Sequence, residues 1–243
     1  MKILKATLMT TRGTLSVAVL VFMAIIACLA TEAMAQPINA SQPGIYLGRP
    51  IAWTMTASGA DWLTRKDREK EESTREMIRA LRLKPGMVVA DVGCGNGYHA
   101  LKMAPLVGAE GRVLCVDIQQ EMLDLLIERA AQRKITNYET IVGSSTSPKL
   151  PAKKVDLILL VDAYHEFTDP VSMLRSMRQS LASGGVLALV EFRTEDPAVP
   201  MKPDHKMSKA QIDKEMRANG FKLVRTYDDL PWQHLVFYGV DEE

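Results

Sequence analysis

Cysteine, histidine, aromatic residues and excess charge are all scarce in this chain. Of 243 residues, 3 are cysteine, 4 are histidine, and 6% are aromatic. Cys28, Cys94 and Cys115 are too few for a disulfide framework, so the fold has to rest on an apolar core. No CxxC, no HExxH and no histidine pair at ligand spacing occurs among His99, His165, His205 and His234, so no metal site is expected. The formal net charge is +1; setting aside the first 35 residues removes Lys2, Lys5, Arg12 and Glu32, and 30 basic and 29 acidic side chains become 27 and 28. A nucleic-acid partner or an acidic membrane surface therefore finds no basic excess to bind.

What is present is apolar: 47% of the residues, enough for one sizeable core. The expected organisation is a segment 1–35, an arm 36–68 and a domain 69–243. In the first segment Lys2, Lys5 and Arg12 precede an uncharged run of about 18 residues, and "AMA" at 33–35 offers the small residues that a signal peptidase reads. This predicts an export signal cut before Gln36, or a membrane tether through residues 14–31 with the domain outside. Translation from Met34 would instead give a cytoplasmic protein.

From residue 69 onward helical and strand patterns alternate. "EESTREMIRALRL" reads as one helix closed by Pro85 and Gly86, and "MVVAD" as a strand buried on both faces. "YHALKMAPLVG", "RVLCVDI", "QEMLDLLIERAAQRK", "YETIV", "VDLILLV" and "GVLALVEF" continue the alternation. Asp169 with Pro170 and Ser208 with Gln211 are helix starts, and "FKLVRTY" and "HLVFYGV" close the chain as an antiparallel pair. Such alternation makes an α/β fold with a mostly parallel sheet, whose ligands sit at the carboxyl ends of the strands.

The stretch that follows the first of these strands, "VVADVGCGNGYHA", places glycines at 93, 95 and 97. A strand, a glycine turn and a helix would present free backbone N–H groups to a ligand. The dinucleotide fingerprint needs its third glycine where Tyr98 stands, and Asp91 puts a negative charge where a pyrophosphate would lie. A ligand with an amino group beside a carboxylate suits the turn better.

In these residues, in the strand-final acid of "VLCVDI" and in "VDLILLVDAYHEF", the chain resembles the class I S-adenosylmethionine-dependent methyltransferases, from about residue 69 to the end. The resemblance implies a Rossmann-like three-layer sandwich with a seven-stranded sheet in the order 3-2-1-4-5-7-6, strand 7 antiparallel. It implies S-adenosyl-L-methionine as cofactor, with Gly93, Gly95 and Gly97 beside its methionine part and Asp91 near its amino group. Asp117 would hold the ribose hydroxyls, Ile118 would pack on the adenine, and Asp162 would contact the cofactor. Many relatives carry an Asp after the third strand; here "GSSTS" leaves Ser144 or Ser145 for that task.

Methyl transfer needs a base only if the acceptor is protonated. His165 has a suitable intrinsic pKa, and Tyr164 is placed to orient an acceptor or close the pocket; the plainer reading has His165 capping the next helix or loop. Glu191 and Arg193 are expected to face the site, with the proline-spaced "EDPAVPMKPDHKM" as an acceptor loop or a stiff connector. The arm, with Trp53 and Trp62, reads as a lid or as packing on an outer helix, and "RKDREKEE" as a solvated face. The expected activity is methyl transfer to a small-molecule acceptor. A non-catalytic, exported or tethered cofactor-binding protein is the alternative, and a nicotinamide oxidoreductase is opposed by Tyr98 and Asp91.

Overall fold

The apolar runs expected as buried strands pair side by side in a computed structural model that describes residues 44–242. The segment 1–35, its apolar run, and residues 36–43 of the arm lie outside the described residues. Strands β1 (Ile45–Tyr46) and β2 (Arg49–Pro50) form a small antiparallel ladder in the arm. β3 (Val88–Val92), β4 (Arg112–Asp117), β5 (Tyr138–Val142), β6 (Val155–Val161), β7 (Leu181–Arg193), β8 (Lys206–Met207), β9 (Phe221–Tyr227) and β10 (Gln233–Val240) build the main sheet.

Its order is β5-β4-β3-β6-β7-β10-β9, with β10 antiparallel to both neighbours, so the expected 3-2-1-4-5-7-6 arrangement holds. One addition was not foreseen. The two-residue β8 pairs in parallel with the end of β7, Phe192 opposite Lys206, and makes the sheet eight-stranded among the described residues. β3, β4, β6 and β7 bury both faces. One core cluster holds Val89, Leu126, Leu157 and Val190, and the other holds Ala90, Leu160, Leu174 and Met216. Continuous apolar runs rather than alternating ones are the sequence signature of that double burial.

The helices are α1 (Arg68–Glu72), α2 (Thr74–Ala80), α3 (Ala100–Val107), α4 (Gln120–Gln132), α5 (Pro170–Ser180) and α6 (Lys209–Ala218). Asp169 caps α5 by accepting from Ser172 N–H at 3.0 Å, and Ser208 caps α6 by accepting from Gln211 N–H at 3.1 Å. The single helix expected over 71–83 is two helices, broken where Ser73 takes a left-handed conformation at φ 47°. The break lets α1 turn Arg68 and Glu72 inward while α2 buries Met77 and Ile78 in the core.

The arm is fastened by one buried ion pair. Arg49 donates to both carboxylate oxygens of Glu215 on α6, at 2.8 and 3.0 Å, and to the carbonyl of His165 at 3.0 Å. Burial opposes the Arg49 charge, but the Glu215 carboxylate outweighs it and raises the guanidinium pKa. Truncating one member of such a pair strands the other in a dry interior. Arg49→Ala should therefore lower the free energy of unfolding by about 3–5 kcal/mol, read from urea denaturation. A loss below about 1 kcal/mol would show that the arm is not anchored there.

Candidate active site

The carboxyl ends of β3, β4 and β6 open into a cavity of about 600 Å³. Gly93 and Gly95 line it after β3, Asp117 and Ile118 after β4, Ser144 and Ser145 after β5, and Asp162 after β6. The sequence-predicted cofactor residues thus meet in one place, with two exceptions. Asp91 and Gly97 do not line the cavity.

Gly97 sits at φ 77°, and a Cβ there would lie 2.6 Å from Leu126 Cγ, so this glycine lets α4 pack against the turn instead of admitting a ligand. A Cβ on Gly95 would meet Leu63 of the arm at 2.5 Å. The turn is therefore covered by the arm's own apolar side chain.

Four N–H groups of the turn, those of Gly93, Cys94, Gly95 and Gly97, are not free, contrary to the expectation. Those of Gly93 and Cys94 donate to Val116 C=O at 2.8 and 3.0 Å, and that of Gly97 to Cys94 C=O. Gly95 N–H donates to the Asp117 carboxylate at 2.9 Å. A phosphate would find these donors taken and a carboxylate beside them. Asp117 also accepts from Gln119 N–H at 3.0 Å; burial raises its pKa, and these backbone hydrogen bonds oppose the rise.

Asp162 lines the cavity at φ 49°, with one oxygen bonded to Gln233 at 2.7 Å and the other buried without a partner. Burial first, then the neighbouring carboxylates of Glu72 and Glu191, push its pKa well up. Arg68, 4% exposed, and Glu72, 2% exposed, are the residues the sequence reading missed. Both line the cavity, joined by a 2.7 Å ion pair, and Arg65 reaches Glu72 at 2.6 Å. Oppositely charged residues four apart fit a solvated face or a buried pair equally well, and only the break at Ser73 turns them inward.

The arm completes the enclosure. Trp53, Met55, Trp62 and Leu63 line the cavity, and Gln119 clasps the arm by accepting from Ala57 N–H and donating to Met55 C=O, both at 2.9 Å.

A polar wall faces the same space. His165 Nδ1 lies 2.6 Å from the fully buried Glu191, and its Nε2 lies 3.1 Å from His205 Nδ1. Burial lowers the His165 pKa, but Glu191 outweighs it and leaves a net rise; burial and then His165 lower that of His205. Glu166 stands beside them, its pKa pushed by burial up to about 7.

The ligand atoms of His165, Glu166 and His205 all lie within 4.8 Å of one another, a grouping that their spacing in the sequence does not display. His165 and His205 are far apart in sequence, so only the topology pairs them. Tyr164 is not in the wall. Its ring is fully buried and its hydroxyl donates to Glu215 at 2.7 Å, so packing claims it rather than an acceptor. Arg193 also points elsewhere, donating to the carbonyls of Asp228, Leu230 and Pro231.

This sheet order, with a ligand-sized cavity at its carboxyl edge, defines the class I methyltransferase fold. A family described as "Methyltransferase domain" (Methyltransf_31) matches residues 83–234. The chain belongs to that family, whose cofactor is S-adenosylmethionine.

The chain is 29% identical over 126 residues to a demethylmenaquinone methyltransferase of Listeria monocytogenes serotype 4a, covering 52% of each. It is 31% identical over 121 residues to the ubiquinone/menaquinone biosynthesis C-methyltransferase UbiE of Shewanella frigidimarina, covering 49% of this chain and 48% of that one. The chain thus spans about half the length of these curated relatives. A crystal structure of a SAM-dependent methyltransferase from Aquifex aeolicus shares the fold, with a TM-score of 0.72 at 22% identity over 76% of this chain and 98% of that one.

Asp91 lies behind the turn, and burial raises its pKa from 3.8 to about 7, opposed by a backbone hydrogen bond from Ala100 and by Arg68. Between these two values the folded state holds a proton that the unfolded state has released, so this group's contribution to stability falls as pH rises through that window. A rise of that size corresponds to roughly 4 kcal/mol at most. Asp91→Asn should lose that slope and gain stability relative to the native chain as pH goes from about 4 to about 8. Parallel pH profiles of the two proteins would contradict the burial argument.

Proposed function

We propose that this chain methylates a small, largely apolar acceptor, with S-adenosylmethionine held at the carboxyl edge of the sheet and the acceptor's nucleophilic oxygen or ring against the polar wall. The observation that carries the reading is the buried, partnerless oxygen of Asp162 in a cavity where the N–H groups of Gly93 and Gly95, the two turn glycines that line it, are already taken. Such a site suits a cation and has no cradle for a diphosphate.

The residues fit the cofactor part by part. The Arg68 guanidinium suits its carboxylate, and Asp162 and Glu72 suit its ammonium and sulfonium charges. Asp117 suits the ribose diol, and Ile118 the adenine face. When bound, the cofactor supplies an activated methyl group for in-line displacement. The chain's own work is to align and to dry: Trp53, Met55 and Trp62 close the cavity, and removal of the acceptor's proton falls to the His165–His205 wall, oriented by Glu191.

The relatives named as quinone-pathway methyltransferases make hydroxylated aromatic or quinol rings the first acceptors to try. The apolar lining by Trp53, Met55, Phe167 and Met201 supports that choice.

Calorimetry of the full chain should find one site for S-adenosylmethionine and for its demethylated product, and none for NAD. Asp117→Ala should weaken both by at least about tenfold, since it removes charge-assisted hydrogen bonds to the sugar. Absence of binding by either sulfur ligand ends the methyltransferase reading. With an acceptor in hand, His205→Ala should lower kcat by about 10²-fold or more and leave cofactor affinity nearly unchanged. An unchanged kcat would remove the wall from the chemistry.

A further inference from the structure

We infer that the polar wall is a binding site for one divalent transition-metal ion of the zinc class, held by His165 Nε2, His205 Nδ1 and the Glu166 carboxylate. The ligand atoms of these three residues all lie within 4.8 Å of one another, and the two nitrogens are 3.1 Å apart. Two imidazole nitrogens bound to one ion at about 2.0–2.1 Å stand roughly 3 Å from each other, so the pair already has the needed spacing, and the carboxylate has a short approach left.

A second feature points the same way. A carboxylate only accepts, so Glu191 at 2.6 Å requires the proton of neutral His165 on Nδ1 and leaves the Nε2 lone pair facing His205. A buried carboxylate behind a histidine in this manner is the usual support of a metal-bound imidazole, fixing its tautomer and raising its basicity. Two independent loops deliver the ligands. The turn Tyr164–Glu166 follows β6, and β8, by pairing with the end of β7, fixes the turn Pro203–His205 that precedes it.

Two nitrogens and one carboxylate leave coordination positions open, and all three residues line the cavity. The open positions would take an oxygen of the methyl acceptor, a hydroxyl or a carbonyl next to one, and make it more acidic. In the loaded protein that task passes from the imidazole pair to the ion. The identity of the oxygen ligand rests on the methyltransferase reading; the ion site itself does not.

The test is a titration of the untagged, chelator-stripped full chain with Co²⁺ alone, followed by visible absorption and calorimetry. The expected result is one Co²⁺ per chain at micromolar affinity or better, with the absorption of a low-coordinate N/O site. His205→Gln and Glu166→Gln, both at partly exposed positions, should each weaken uptake by about tenfold or more. Glu191→Gln should also weaken it by about 10–100-fold. No saturable uptake, or uptake undiminished in both ligand variants, overturns the site. S-adenosylmethionine binding is measured on the same samples and doubles as the check of folding. Cofactor binding without Co²⁺ uptake removes the metal site alone, and Co²⁺ uptake without cofactor binding removes the methyltransferase reading alone.

Discussion

The site depends on the parallel pairing of β3 with β4 on one side and β6 on the other. Parallel strands end at the same edge, and that edge receives whatever polar groups follow each strand. Here they are Gly93 and Gly95, Asp117, and Asp162. A slip of β4 by one residue against β3 would turn the side chains of β4 to the opposite face and move the Asp117 carboxylate off Gly95 N–H. The hydrogen bond between those two groups records that the register is right, because it ties the turn of one strand to the end of the next.

Arg68, Glu72, Asp117, Asp162, Glu166 and Glu191 are gathered around one cavity in a chain with almost no net charge. Carboxylates outnumber the guanidinium, and Asp162 keeps one oxygen without a partner. A buried polar oxygen without a partner costs stability, and a cationic ligand in the cavity would supply the partner and favour the charged form of the carboxyl. Much of the enclosure comes from residues 44–82, which precede the matched family segment 83–234. Trp53, Met55, Arg68 and Glu72 all belong to that preceding segment.

The sheet was legible in the sequence because doubly buried strands are continuous apolar runs and the turn between β3 and α3 is punctuated by glycine. Asp117 was legible because it stands at a strand end at a fixed distance after the turn. Three features were not. The left-handed residue Ser73 has no sequence signal of its own, so α1 and α2 read as one helix and the inward turn of Arg68 was lost with it. His205 lies on an irregular loop whose position is fixed by a two-residue strand, too short for a periodic pattern. Tyr164 sits next to His165 in sequence, but neighbours on a tight turn point in different directions: one ring enters the core to reach Glu215, the other the cavity wall. Local pattern carries the scaffold, while long-range pairing decides which polar side chains share a cavity.

A crystal structure of the full chain with S-adenosylhomocysteine bears most directly on the central claim that this edge holds an amino acid joined to a nucleoside. The account predicts the ligand's carboxylate on Arg68, its ammonium within hydrogen-bond reach of the free oxygen of Asp162, and both ribose hydroxyls on Asp117. A ligand seated elsewhere, with Arg68 still paired only to Glu72 and the Asp162 oxygen still without a partner, would contradict it.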